Sequence, residues 1–288
     1  MLELTVAIFM LLSLILYALM GGADFGGGMW DLLAVGPRAV RQRKAIAKAI
    51  GPIWEANHVW LILVVVLLFT GFPAGFAGMM TALNIPLTAM LIGIVLRGSA
   101  FIFRNYDSRS DATQRHWSEV FGVASFCTPF FQGMILGALT TGQIRIVNGQ
   151  VVTGFFAGWL TSFALACGVF ALGLFAFLAA TYLTLDTQDQ PDLQNDFRRR
   201  ALWSGVVLAP IAGVVLLASK QGAPEMYGVS GHSKPATKGR MKTSHFEGSI
   251  ACWAAWAAHG RNERTQCELA AYDINFGGQW LVQPADCA

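Results

Sequence analysis

From Leu4 to Met20 the chain carries no charged side chain, and the run leads into Gly21-Gly22-Ala23-Asp24-Phe25-Gly26-Gly27-Gly28. A helix covers about 30 Å in twenty residues, the thickness of a bilayer's hydrocarbon. Asp24 therefore falls near the opposite boundary of the hydrocarbon, among glycines that let other helices approach closely. An ionisable side chain at that depth is unfavourable unless paired or hydrated, which makes it a functional-site candidate. The plainer reading is an Asp in the headgroup region that caps the helix end.

Composition points the same way. Of 288 residues, 55% are hydrophobic and 13% charged, against about 25% charged in ordinary soluble domains. Mean hydropathy is +0.51. The net charge of +3 is small and its basic residues lie in short loops, so a nucleic-acid partner is not suggested. The first apolar run lacks a basic leader and a cleavage pattern, and reads as a helix that stays.

Six spans follow from uninterrupted apolar stretches: Leu4 to Ala34, Pro52 to Phe72, Ala77 to Phe101, Trp117 to Leu139, Phe155 to Leu185 and Ala201 to Ser219. The expected fold is an all-α polytopic bundle with a transmembrane domain over residues 1–220. The first connecting loop carries Arg38, Arg41, Arg43, Lys44 and Lys48; the third Arg104, Arg109 and Arg115; the fifth Arg198, Arg199 and Arg200. Loops two and four hold almost nothing basic beyond Arg145. By the positive-inside rule the odd loops are cytoplasmic and the N-terminus lies outside.

This topology brings Asp24, Glu55 and Arg97 to one depth on the first three spans. Such a group could form a hydrated proton relay, or Arg97 could simply snorkel and pair with the acids structurally. His58, within Trp54-Glu55-Ala56-Asn57-His58-Val59-Trp60, is the one histidine inside a span. Haem ligation by this chain is the lesser reading, because no second intramembrane histidine stands at matching depth. Hydrogen bonding between helices, or a place in the Glu55 network three residues away, suits His58 better. Met20, Met29 and Met90 read as core filling, as do Cys127 and Cys167. Pro86, Pro129 and Pro210 fall within spans and are expected to kink them. The aspartates Asp186, Asp189, Asp192 and Asp196 do not space as a metal site.

Two long segments carry a family resemblance: Gly21 through Leu33, and Ile50-Gly51-Pro52-Ile53-Trp54-Glu55-Ala56-Asn57-His58-Val59-Trp60-Leu61-Ile62. They are similar to subunit II of cytochrome bd-type quinol oxidases, nearest the cyanide-insensitive branch. Leu96-Arg97-Gly98-Ser99-Ala100-Phe101-Ile102-Phe103-Arg104 fits the same family, and the resemblance runs to about residue 228. It implies a two-subunit bacterial cytoplasmic-membrane enzyme that oxidises quinol and reduces dioxygen to water. Subunit I would hold the haems b and d and the main quinol site, with none in this chain. By position the resemblance gives Asp24 and Glu55 a proton path, Arg97 a place beside it, and Trp60 a place on a dioxygen route. Asn57 and His58 join as network candidates. Met20 stands where some relatives have a further acid, so a path here would have one relay group fewer or use water.

After about Tyr227 the apolar periodicity stops. The best stretch beyond it, Ile250 to Ala258, is about half a span. The family would continue with two further transmembrane helices that complete a second four-helix bundle. Residues 221–288 are therefore expected to be an aberrant or disordered polar tail, a shifted reading frame being favoured over a disulfide-stapled extension. Cys252, Cys267 and Cys287 are odd in number. Rival functions are a transporter, disfavoured because the charges gather at one face rather than the midplane, and a structural subunit without a proton role.

Overall fold

A computed structural model describes residues 2–106, 111–147 and 150–223. Its helices are α1 (Leu2–Leu32), α2 (Ala39–Gly71), α3 (Pro73–Ala82), α4 (Asn84–Tyr106), α5 (Asp111–Thr140), α6 (Ser162–Asp186) and α7 (Pro191–Gly222). Six of them, all but α3, are long and apolar enough to cross a membrane. The all-α class holds, with one small addition. Strands β1 (Ile146–Val147) and β2 (Gln150–Val151) pair antiparallel in the link between α5 and α6. The expected polar tail falls almost wholly on residues 224–288, outside the described residues.

Several helix bounds differ from the sequence expectation. The basic segment read as the first loop is helical from Ala39, so α2 runs for 33 residues through Pro52. At about 50 Å it exceeds the hydrocarbon thickness, so its basic first turns project past it. Arginine and lysine are good helix formers, and their solvated charge gives the helix no reason to end. In the same way α7 begins at Pro191, a first helical position that needs no amide partner.

The third span starts at Asn84, not Ala77. Phe72, constrained by Pro73 after it, leaves helical geometry with ψ 58, and α3 is a separate short helix. Pro86 then sits in the first turn of α4, where its missing N–H is harmless, and does not kink a span. Pro129 and Pro210 do lie inside α5 and α7. The fifth span starts at Ser162 rather than Phe155, because the Thr161 hydroxyl accepts from the Ala164 N–H and caps the helix.

Helix α1 lies against α2, α5 and α6, and α4 packs on α5, α5 on α6 and α6 on α7. The glycine-rich segment makes this central position possible. A Cβ on Gly26 would overlap the Phe175 carbonyl of α6, one on Gly27 would meet Ile50 of α2, and one on Gly28 would overlap the Ser125 hydroxyl of α5. Three glycines thus admit three different neighbours. Close backbone approach replaces the hydrophobic driving force that lipid does not supply.

Gly26→Ala is expected to lose about 1–3 kcal/mol of unfolding free energy in detergent through overpacking. A Cβ on Gly51 meets nothing within 4 Å, so Gly51→Ala should instead gain about 0.5–1 kcal/mol from helix propensity. Equal effects from the two would remove the steric role assigned to Gly26.

Candidate functional site

On α1, Tyr17, Asp24 and Asp31 recur every seven residues and are all buried. Two helical turns separate each from the next, so they share one face, turned inward. On α4, Arg97 and Arg104 have the same spacing. Because α1 and α4 run parallel, the two rows meet rung by rung.

Asp24 is wholly buried and Arg97 nearly so, with side-chain exposures of 0% and 1%. The Arg97 guanidinium donates from Nη1 to Asp24 Oδ2 at 2.8 Å, and from Nη2 to Asp24 Oδ1 at 2.5 Å and to the Asp24 carbonyl at 2.9 Å. Its Nε donates to Ser125 Oγ at 3.0 Å, and that hydroxyl donates on to the Phe121 carbonyl. Asn57 Nδ2 reaches Asp24 Oδ2 at 3.4 Å. The guanidinium plane is also held between aromatic rings, 4.7 Å from the Phe25 centroid and 4.8 Å from that of Phe121. Such contacts favour a desolvated cation. Every charged atom of the pair has a partner, which is what burial at this depth demands.

The second rung joins Arg104 Nη1 to Asp31 Oδ2 at 2.7 Å. Arg104 lies 5.0 Å from the same Phe121 ring, which therefore serves both guanidiniums. Arg43, at the start of α2, donates to the Asp31 and Ala34 carbonyls and ties down the end of α1. Above the first rung the Tyr17 hydroxyl accepts from Gln132 of α5. Asp31, Arg104, Ser125 and Phe121 were not singled out in the sequence. The signal that would have found the second rung is the matched seven-residue spacing of the acids and arginines.

Of the expected cluster, Asp24, Arg97 and Asn57 come together. Glu55 does not join them. It is exposed on α2 and makes no ion pair or hydrogen bond among the described residues. A place along the helix does not fix azimuth: Asn57, two residues on, lies about 200° around the helix from Glu55. His58 also departs from expectation. Its Nδ1 lies 2.7 Å from the Trp54 carbonyl and its ring packs edge-on to Trp54, so it bonds within α2 instead of pairing with Glu55. Trp60 packs against the apolar cluster of Tyr17, Phe25, Met29 and Phe175. Three buried polar atoms near these rungs, Asp31 Oδ1, Trp54 Nε1 and Asn57 Oδ1, have no hydrogen-bond partner in the protein. Among the described residues no three His, Cys, Asp or Glu side chains gather as a metal site.

A family model described as cytochrome bd terminal oxidase subunit II matches residues 2–274. The chain belongs to this family. The match extends past residue 228, where the motif resemblance ends. Cytochrome bd-I ubiquinol oxidase subunit 2 of Escherichia coli is 28% identical over 272 residues, covering 91% of this chain and 64% of that protein. Cytochrome bd ubiquinol oxidase subunit 2 of Bacillus subtilis is 29% identical over 202 residues, covering 69% of this chain and 58% of the relative. The chain thus spans under two thirds of the length of these curated relatives. The structure of bd oxidase from Geobacillus thermodenitrificans is similar with a TM-score of 0.63 at 19% identity, over 78% of this chain and 68% of that one. That likeness speaks for the fold alone. With six helices long and apolar enough to cross a membrane among the described residues, the chain reads as a multi-pass membrane member of that family.

Removing one partner from the first rung leaves an uncompensated buried charge, so Arg97→Met is expected to cost about 3–5 kcal/mol in detergent unfolding experiments. The double variant Asp24→Leu, Arg97→Met should recover most of that loss. A double variant no more stable than Arg97→Met would show that the pair is not the source of the penalty.

Proposed function

We propose that the chain serves as subunit II of a quinol:dioxygen oxidoreductase of the cytochrome bd type in the bacterial cytoplasmic membrane. Its heterodimer partner, subunit I, would hold haems b and d and the main quinol site. Family membership and the six long apolar helices support this reading. In it the face bearing the arginine-rich links is cytoplasmic and the N-terminus periplasmic. The haems of subunit I supply electron transfer and dioxygen reduction, while this chain's own residues govern access for protons and dioxygen.

The observation that carries the proton part of the reading is Glu55. It stands within a membrane span, exposed, with no partner of its own among the described residues. An ionised carboxylate turned to lipid is strongly disfavoured. The α2 face that carries Glu55 is therefore covered by subunit I in the complex and reached by water from the cytoplasmic side. Reduction of dioxygen to water consumes as many protons as electrons, and a carboxylate at such a junction passes them inward. The partnerless Asn57 Oδ1 lies on the other side of α2, beside Asp24, where an ordered water would satisfy it.

Asp24 has both oxygens engaged by Arg97. The pair lies on the other side of α2 from Glu55 and holds α1 and α4 in place, and Glu55 is the exposed carboxylate of the path. Trp60, among aromatic and aliphatic side chains, supports an apolar route for dioxygen. In its proton part, this reading differs from a purely structural subunit at one residue, Glu55.

In the complex with subunit I, Glu55→Gln is expected to slow oxygen consumption and proton uptake by an order of magnitude or more. Haem content should be unchanged, and Glu55→Asp should retain most of the rate. Asp24→Asn, in contrast, should reduce the yield of haem-loaded complex. A Glu55→Gln oxidase that turns over at the parental rate would leave this chain a structural role only.

A further inference from the structure

Apart from the Asp24 site, the protein has a second concentration of charge at the basic end of the bundle. Gly36, with φ +89, turns the chain sharply between α1 and α2 and brings Arg38 opposite the first turns of α7. Between them lies a cavity of about 400 Å³. Arg38, Arg199 and Arg200 line it, with Asp196 as its one acid.

These groups are not equivalent. Asp196 is already engaged, accepting from Arg38 Nη2 at 2.7 Å and from Gln42 Nε2 at 2.8 Å. Arg200 is held rigidly: its Nη2 donates to Gln42 Oε1 at 2.8 Å and its guanidinium stacks 5.2 Å from the Trp30 ring. Arg199 has no partner among the described residues and is exposed. Three guanidiniums therefore face a cavity containing one neutralised carboxylate. The remaining lining is Gln42 with the apolar Val35 and Pro37, and Leu33 and Val35 stand exposed at 49% and 78%. Its position, where α1 ends and the apolar part of α7 begins, is headgroup depth.

We infer that this cavity binds a phosphate group. Guanidinium forks match tetrahedral oxyanions with paired, charge-assisted hydrogen bonds. The apolar rim suits the glycerol and acyl carbons of an anionic phospholipid better than a free ion. Arg200, fixed by Gln42 and Trp30, forms the preorganised part of the site, and Arg199 closes on the ligand. The site does not depend on the oxidase reading.

The test is lipid retention by the full chain purified in neutral detergent, titrated with phosphatidylglycerol, phosphatidylcholine or inorganic phosphate and read by native mass spectrometry and thermal shift. Phosphatidylglycerol should be retained and should raise the melting temperature; phosphatidylcholine should do neither. Stabilisation by inorganic phosphate at similar concentration would keep the site and identify a free phosphate as its ligand. Arg199→Gln should weaken retention roughly tenfold, the loss of a hydrogen bond from a charged donor. Arg199 supports no other group, so folding should be unaffected. Lys44→Gln, an exposed basic residue of the same face outside the cavity, should change retention by less than about twofold. No response to either phosphate source would overturn the inference. So would equal losses from Arg199→Gln and Lys44→Gln, which mark diffuse surface attraction.

Discussion

The structure depends on keeping one ion pair out of water. Asp24 and Arg97 sit where neither would be tolerated alone, and their attraction repays desolvation only if every remaining donor and acceptor is met. The rest of the local architecture answers that demand. Ser125 must come close enough to take the Arg97 Nε, so α1 has no side chain at Gly28. Asn57 must reach the carboxylate from α2. Phe25 and Phe121 must flank the guanidinium, which removes water while giving the cation a favourable π surface. A small-residue segment and a buried charge are thus two parts of one solution.

The second rung extends that solution towards the basic end. Asp31 with Arg104 repeats the geometry two turns along, and the Phe121 ring is shared by both guanidiniums. The shared ring places α5 between the rungs and couples three helices through one side chain. Sliding α4 by one turn would break both ion pairs and both ring contacts together. The arrangement therefore sets axial register, which apolar packing between lipid-facing helices specifies weakly.

Much of the fold was legible in the sequence because hydrocarbon thickness imposes a minimum length on apolar runs. All six spans are present near their expected places. Their starts were less legible. Basic residues at Arg41, Arg43 and Lys44 end the apolar signal but do not end the helix, and Pro73 and Pro86 divide a continuous apolar stretch by backbone sterics. In the site, charge and depth identified Asp24 and Arg97, since any charge in a span is conspicuous. Asn57 was carried only by its neighbourhood. Glu55 was misassigned as a contact because depth says nothing about which way a helix face turns. Asp31 and Arg104 lay at the ends of their spans, where charges look ordinary, and only their matched spacing set them apart.

The outward turn of Glu55 gives the surface a meaning that exposure alone does not. Apolar side chains cover α7, none of whose apolar window is buried, and most of α2. In water such faces would demand a protein partner; in lipid they are solvated as well as they would be by another helix, and so they do not locate an interface. A polar group does, because lipid offers it nothing. Val59, Ile62 and Val66 on α2 are exposed at 62%, 61% and 48%, yet they are indifferent to lipid or protein. Glu55 on the same helix is not indifferent. The side of α2 that carries it is the side that must meet something other than lipid, whether water, a hydrogen-bonding helix or both. That constraint comes from one carboxylate and the dielectric around it, independently of any relative.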